Sequence, residues 1–438
     1  MATTRGTPGR VRAGWAVAEA LKFETATPAP SNRAAGDSPP AGAGTNARPP
    51  ERPLRVLVAH NVPRAPTGGM SRIMTFIHER VAAARGHRVE YFCADDVPAR
   101  LRGRGARHAF PLLLLREAAR AARRGEPYDL INVHEPAGAG VAVFRRLAGD
   151  PVVVVTSHGV ERRAWELALE ESRLGRAGPN WKTRILYPLT TLRQAEAGLR
   201  RADHVFCLSF EDRDFLASRL GVERGRVTRI YPGADVPFQE AARGRDYGRC
   251  RRLLFAATWR KNKGVEDLVP AFAALARRHE GLELGVLGGG VAEEVVLGAF
   301  PPDVRARVSC ARATGDAETA AHFGRADLFL LPSLFEGTPL TLVEAMAAGL
   351  PVVTTDTCGM RDVVSDGSTG LLVPTRSPEA VAAAVGRLLS DAALRARLGR
   401  AAHAAAVEKY TWDRAAAPVA DVYERLCASR RRGIESPR

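Results

Sequence analysis

The strongest constraint on this chain is a rhythm of short aliphatic runs spaced by longer helical stretches. The runs LRVLVAH (54–60), RVEYFC (88–93), YDLINVH (128–134), PVVVVTSH (151–158), ADHVFCLS (202–209) and RVTRIYPG (226–233) are separated by helix-compatible sequence such as SRIMTFIHERVAAARG (71–86). Apolar strands alternating with helices form βαβ units, which set the strands in a parallel sheet. A polar stretch, PFQEAARGRDYGRC (237–250), interrupts the series and reads as an interdomain connection. The rhythm restarts with RRLLFAAT (251–258), LELGVLGGG (282–290), ADLFLLPS (326–333), LPVVTT (350–355) and GLLVP (370–374), and helical pattern such as SPEAVAAAVGRLLSD (377–391) fills the gaps. At 438 residues the chain exceeds what one core takes up. The expectation is an α/β protein of two doubly wound, Rossmann-like domains, 53–236 and 251–408, joined by the connection 237–250. Ligands of such sheets bind beyond the carboxyl ends of the strands, so two facing domains make the cleft between them the natural site.

The ends read differently. Residues 1–52, rich in Pro, Ala, Gly and Ser without apolar period, read as a disordered leader. Residues 409–429 read as a terminal helix and 430–438 as a basic tail. The longest apolar candidate, FPLLLLREAARAA, is cut by Arg116 and Glu117 and is too short to span a membrane. The N-terminus lacks the apolar segment of a signal peptide. Six scattered cysteines without a C-x-x-C pair read as reduced thiols of a cytoplasmic protein. The net charge of +16 favours anionic partners. A nucleic-acid-binding protein is one alternative, but no zinc finger, RNA-recognition signature or aromatic–basic interleaving supports it, and aromatics are only 6%. The expectation is no nucleic acid.

The stretch LFEGTPLTLVEAMAAGLPVVTTD (334–356) carries the chemistry. The strand pattern ADLFLLPS ends at Ser333 and the chain turns through Glu336 and Gly337. Thr338 suits an N-cap and Pro339 a first helical position. Gly349 then stops the helix. Glu336 is thus expected in a loop at the carboxyl end of a strand, and Glu344 one to two turns into the helix. The free N–H groups of the helix start favour an anion such as a diphosphate. One carboxylate suits two ribose hydroxyls, the other a sugar near its reacting carbon.

The stretch resembles the E-x7-E signature of family 4 of the retaining, nucleotide-sugar-dependent glycosyltransferases, which have the GT-B fold, and the resemblance runs through residues 325–374. It implies that Glu344 holds the ribose and that Glu336 lies beside the transferred sugar. Backbone N–H groups of Gly337, Thr338, Pro339 and Leu340, proline excepted, would meet sugar and diphosphate. The usual E-G-F-G is E-G-T-P here, and DGSTG (366–370) matches the family's next loop. HNVPRAPTGGMSR (60–72) resembles the family's glycine-rich loop, with Gly68 and Gly69 near the donor diphosphate and acceptor. His158, in VVVVTSHGVE (152–161), matches the H-G motif beside the transferred sugar, and Glu161 is a weaker, structural or acceptor-facing candidate. In FAATWRKNKG (255–264) the family's arginine and lysine for the leaving diphosphate correspond to Arg260 and Lys263, although Thr258 stands where arginine is frequent. Gly288 in GVLGGG (285–290) matches a glycine turn near the nucleotide. Gly233 and Asp235, in YPGAD, read as structural. KYTWDRAAAPVADVYERL (409–426) resembles the helix that crosses back to the N-terminal domain.

The expected activity is transfer of a sugar from a nucleoside diphosphate sugar to an acceptor hydroxyl, on a glycan, a lipid-linked molecule or a small molecule, with retention of configuration. A related GT-B phosphorylase or epimerase is the other alternative. No metal-binding D-x-D is visible near the site, and ADDVP (94–98) has the wrong spacing, so neither metal nor cofactor is expected. Arginines 100, 102, 104, 107, 116, 120, 123 and 124 crowd one segment, opposed mainly by Glu117. They suggest peripheral contact with an anionic membrane surface at the inner face, foremost through 100–107.

Overall fold

The computed structural model describes residues 52–64, 68–101, 106–176, 178–313 and 315–433. The leader expected over 1–52 lies, but for Arg52, outside the described residues. The aliphatic runs become two six-stranded parallel sheets. The first holds β1 (Arg55–Ala59), β2 (Arg88–Phe92), β3 (Leu130–His134), β4 (Val152–Thr156), β5 (His204–Cys207) and β6 (Val227–Arg229), in the order β2-β1-β3-β4-β5-β6. The second holds β7 (Arg252–Ala256), β8 (Glu283–Leu287), β9 (Val308–Ala311), β10 (Leu328–Leu331), β11 (Val352–Thr355) and β12 (Leu371–Val373), in the order β12-β11-β10-β7-β8-β9. All ten strand pairings are parallel. The central strands LINVH, VVVVT and LFLL are buried at every position, which explains why they read as continuous apolar runs instead of alternating ones.

Each sheet reverses its strand order once, between β1 and β3 in the first and between β7 and β10 in the second. Loops leaving a sheet on either side of such a reversal diverge and open a crevice. The segments singled out above follow β1, β4, β7 and β10, at or next to these reversals.

The terminal helix, Trp412–Arg431, packs on the first helix, Gly69–Arg85, and closes the core of the first sheet. Tyr423 is fully buried there. Its hydroxyl accepts from Asn132 Nδ2 (2.5 Å) and donates to His78 Nε2 (2.8 Å), whose Nδ1–H is taken by the Met74 carbonyl (2.7 Å). Gly233 lets that helix begin where it does: a Cβ on it would lie 2.3 Å from Trp412 N. The structural reading of Gly233 therefore has a steric basis.

The connection 237–250 is packed onto the second half. Val236–Glu240 is a short helix that buries Phe238, and Arg245 donates to the carbonyls of Ala348 (2.8 Å), Ala326 (2.5 Å) and Phe323 (2.9 Å). Burial of Phe238 and capture of the arginine by orphan helix-end carbonyls fasten the segment to the second sheet's helices. Strand β9 was not foreseen: Val308–Ala311 is a four-residue edge strand of mixed polarity between Arg307 and Arg312.

Candidate active site

The second sheet's contribution starts with a backbone contact. Gly264, at φ +72°, follows Lys263, and a Cβ on it would lie 1.8 Å from the Pro332 carbonyl oxygen. Only glycine permits that approach and that dihedral together. The two loops are tied further by Leu334 N donating to Asn262 O (2.8 Å). They bring Lys263 Nζ into contact with Glu336 Oε1, which also accepts from Ser333 Oγ (3.1 Å). Lysine, serine and glutamate thus form one hydrogen-bonded group at the carboxyl edge of β7 and β10.

The helix after this loop runs Leu340–Ala347, and its start corrects the expectation. Pro339 is the cap residue, without a side-chain cap, and Thr338 is not one. The Thr338 hydroxyl instead donates to the Leu208 carbonyl, which lies beyond β5 of the first sheet. The threonine serves contact between the two halves and leaves the helix start uncapped.

Glu344 is completely buried in this helix. Burial pushes its carboxyl up to about 7, against the opposing pull of Arg72. Arg72 Nη2 lies 2.5 Å from Glu344 Oε1 and 2.7 Å from Asp316 Oδ1. The guanidinium thus serves Glu344 Oε1, and Oε2 is buried without a donor among the described residues. Arg72 comes from the first turn of Gly69–Arg85, just after Gly68, which at φ +103° starts that helix, and its N–H bonds the Gly68 carbonyl (3.1 Å). Sequence reasoning missed Arg72. Its signal was present, since a cation in a first helical turn opposes the helix dipole.

The first sheet contributes His158, just past β4. Gly159, at φ +137°, would place a Cβ 3.1 Å from the Phe335 ring, and a Cβ on Gly337 would lie 2.7 Å from the His158 carbonyl oxygen. The H-G and E-G turns therefore abut. A third close approach was unforeseen: a Cβ on Gly359 would fall 1.4 Å from the Gly337 carbonyl oxygen. Gly359 lies in the helix Cys358–Val363, held to the first half by Cys358 N donating to Glu211 Oε1 (3.0 Å) and Phe210 N donating to Asp362 Oδ2 (2.7 Å).

His158 Nε2 lies 2.6 Å from Nδ1 of His134, the last residue of β3. His134 was also missed. Burial holds both rings neutral, His158 with its pKa lowered to about 3 and His134 lowered well below its ordinary value. His60 and His78 nearby are likewise lowered by burial, to about 4. The adjacent Glu135 is pushed up to about 8 by burial, and its Oε1 accepts from Glu161 N (3.0 Å). Glu161 itself is engaged by Arg107 (2.5 Å) and by the Tyr187 hydroxyl, which favours the structural reading of that residue.

The remaining candidates are placed as follows. Arg260 is exposed and has no ionic partner among the described residues, unlike Lys263; Lys261 pairs with Glu266. Gly288, at φ +74°, has open space around its α-carbon, and the Gly289 carbonyl accepts from Trp259 N (2.6 Å). Gly69 also faces open space. Gly337, Thr338 and Leu340 line the contact between the halves, while Pro339 has no N–H to offer a ligand. Among the described residues no three His, Cys, Asp or Glu side chains are grouped to hold a metal ion.

Comparison with known proteins matches this arrangement. A family model described as Glycosyltransferase Family 4 covers residues 67–237, and one described as Glycosyl transferases group 1 covers residues 243–405. The D-inositol 3-phosphate glycosyltransferase of Streptomyces avermitilis is 31% identical over 253 residues, 54% of this chain and 54% of that protein. The matched region spans about half the length of this curated relative. Sucrose-phosphate synthase from Thermosynechococcus elongatus superposes with a TM-score of 0.66 at 21% identity, over 85% of this chain and 99% of that one. The Anabaena protein Alr3699/HepE in complex with UDP-glucose superposes with a TM-score of 0.58 at 15% identity, over 87% and 100%. These identities speak for the fold, and the two family matches meet across a gap of a few residues at the connection. With two facing parallel sheets and the paired glutamates on the second, the chain belongs to the family 4 glycosyltransferases and has the GT-B fold.

Proposed function

We propose that the protein transfers a sugar from a nucleoside diphosphate sugar to an acceptor hydroxyl, with retention at the anomeric carbon. One observation carries the reading. Glu344 is a fully buried carboxyl whose Oε2 has no donor among the described residues, in the helix that follows the Lys263–Ser333–Glu336 group. A buried acceptor without a donor is costly and calls for a ligand that brings donors. Two vicinal ribose hydroxyls fit that need.

The chemistry then follows from charge. As the diphosphate departs, negative charge grows on its oxygens and positive character at the anomeric carbon. Lys263 and the N–H groups at the start of Leu340–Ala347 stabilise the phosphate, and the exposed Arg260 is free to join them. Each such donor contributes about 10²–10³ in rate. Glu336, oriented by Lys263 and Ser333, hydrogen-bonds the sugar; the acceptor hydroxyl attacks from the face the phosphate leaves as the anomeric C–O bond breaks, and its proton passes to the departing phosphate oxygen, which gives retention. Lysine and arginine supply the positive charge, and no metal is required. The Anabaena neighbour binds UDP-glucose, so UDP-sugars are the first donors to test.

The test is a thermal-shift screen against UDP-, GDP- and ADP-sugars, followed by product analysis by NMR with and without acceptors. A donor at a hundredfold excess over Kd stabilises by about 2.7 kcal/mol. Absence of a shift with every donor overturns the proposal. Product formed without an acceptor turns it toward an epimerase, and a sugar phosphate as product toward a phosphorylase.

The acceptor side suggests contact with an anionic membrane surface. No described helix is long and apolar enough to cross a membrane. Arg102 and Arg104 of the arginine-rich segment lie outside the described residues, Arg107 is paired with Glu161, and Arg120 and Arg124 face Glu117. The helix Trp181–Tyr187 and the turn after it are better placed. Trp181, Ile185, Leu186 and Leu189 are exposed beside Lys182, Arg184 and Arg193, and 173–193 contains no acidic residue. Tyr187 bonds Glu161, three residues beyond His158, which joins this surface to the cleft. Sedimentation with anionic and neutral vesicles at low salt tests it; equal recovery from both overturns it and favours a soluble acceptor.

A further inference from the structure

The contact between His134 and His158 carries information about protons. The rings are near-coplanar, at 22°, with centroids 4.9 Å apart and N···N at 2.6 Å. That separation exceeds the N···N distance by only about two ring radii, so the rings meet edge to edge in a hydrogen bond and do not stack face on. A neutral imidazole has one N–H and one bare nitrogen. One ring must donate and the other accept.

The surroundings decide which. His134 is 2% exposed, and its second nitrogen, Nε2, is buried without any partner among the described residues. If His158 Nε2–H donated, the single proton of His134 would sit on that Nε2, an orphaned donor in the core. If His134 Nδ1–H donates, Nε2 carries only a lone pair. Orphaned buried N–H groups are the rarer and costlier of the two in folded proteins. The second arrangement leaves the proton of His158 on Nδ1, a nitrogen that no described residue hydrogen-bonds, on a side chain that is only partly buried.

We propose that His134 is a positioning residue that fixes His158 as the Nδ1–H tautomer, so that His158 meets its ligand as a hydrogen-bond donor and does not act as a base. The ligand atom it suits is an oxygen acceptor, such as a sugar hydroxyl. The backbone makes the pairing possible, since β3 and β4 are adjacent and in register, with His134 opposite Thr156, two residues before His158. No proton is transferred in this role; the device sets a tautomer and a ring plane. The activity arm of the test rests on the sugar-transfer reading, whereas the tautomer is read without it.

The decisive measurement is a long-range ¹H–¹⁵N correlation spectrum of the full chain, with ¹⁵N-labelled histidine and His158→Gln used to assign the signals. The expected result is a protonated Nδ1 and a bare Nε2 for His158, and the opposite assignment overturns the proposal. Two variants then separate positioning from packing. His134→Asn keeps an N–H close to the position of Nδ1, while His134→Leu keeps bulk and removes the donor. Removing the hydrogen-bond partner that orients a metal-ligating histidine typically costs about 10–100-fold, and a kcat loss of similar size with little change in donor KM is expected for His134→Leu. His134→Asn should recover kcat to within a few-fold. Wild-type kcat in His134→Leu, or equal loss in both variants while both remain folded by circular dichroism, overturns the positioning role. Absence of sugar transfer by the wild type overturns only the functional reading, and the tautomer is still decided by the spectrum.

Discussion

Replacing Glu344 by glutamine should change how stability depends on pH by an amount the structure sets. Burial raises the carboxyl from its ordinary 4.5 to about 7 in the folded chain. The folded state then holds the proton more tightly than the unfolded state. The stabilisation from this group is complete below pH 4.5 and is lost as pH rises through 7. That rise corresponds to about 3 kcal/mol, most of which falls between pH 5 and pH 8. Glutamine does not titrate. The stability of the wild type minus that of Glu344→Gln should therefore drop by about 2–3 kcal/mol over that range. Glu135, pushed up to about 8, is present in both proteins and cancels. The pull of Arg72 on the ionised carboxyl is already contained in the raised value and adds no separate slope. Urea unfolding at pH 5, 6, 7 and 8 gives the difference directly. A difference constant to within about 0.5 kcal/mol, or one that rises with pH, would refute the reasoning, since each Glu344-specific proton must appear in the slope. The same substitution should weaken donor binding by about 1.5–3 kcal/mol, as loss of a charged acceptor does.

Three further outcomes are expected. Lys263→Ala should lower kcat by about 10²–10³ with donor binding reduced far less, as removal of one charge-stabilising donor does; steady-state kinetics read both. Activity should survive EDTA, because the positive charge at the site is carried by side chains; abolition by EDTA with rescue by magnesium or manganese would contradict this. Gly359→Ala should destabilise by about 1–3 kcal/mol through overpacking, because the atoms its Cβ meets are backbone of Gly337 and Thr338 that cannot swing aside; a melting temperature equal to the wild type's would show that the two segments separate freely.

The fold was legible because the buried strands are continuous runs of Val, Leu and Ile. VVVVT at 152–156 and LFLL at 328–331 admit few other readings. The edge strand Val308–Ala311 was not legible: it is four residues long and its exposed Ser309 and half-buried Cys310 dilute the apolar signal. The helix start at Leu340 was misplaced for a related reason. Thr338 followed by Pro339 is sound local chemistry for a cap, but the Leu208 carbonyl, 130 positions away in sequence, takes the threonine hydroxyl. A local rule has no access to a partner that arrives through tertiary structure.

The site shows the same division from the other side. Glu336, Lys263 and His158 were singled out because each sits beside a turn whose residue types announce it. Arg72, His134 and Gly359 act through contacts that sequence spacing does not contain. Each nevertheless breaks a local preference: a cation at a helix start, a histidine at the end of a fully buried strand, a glycine inside a helix. Glu344 does too, a carboxylate in the otherwise apolar helix LTLVEAMA. These violations converge. Arg72 and Glu344 join the first helix of one sheet to the central helix of the other, His134 orients His158 beside the E-G turn, and Gly359 admits the segment that backs that turn. Consistency across levels specifies the two sheets, and its local failures gather where the sheets face each other, as expected of a cleft shaped for a charged ligand more than for stability.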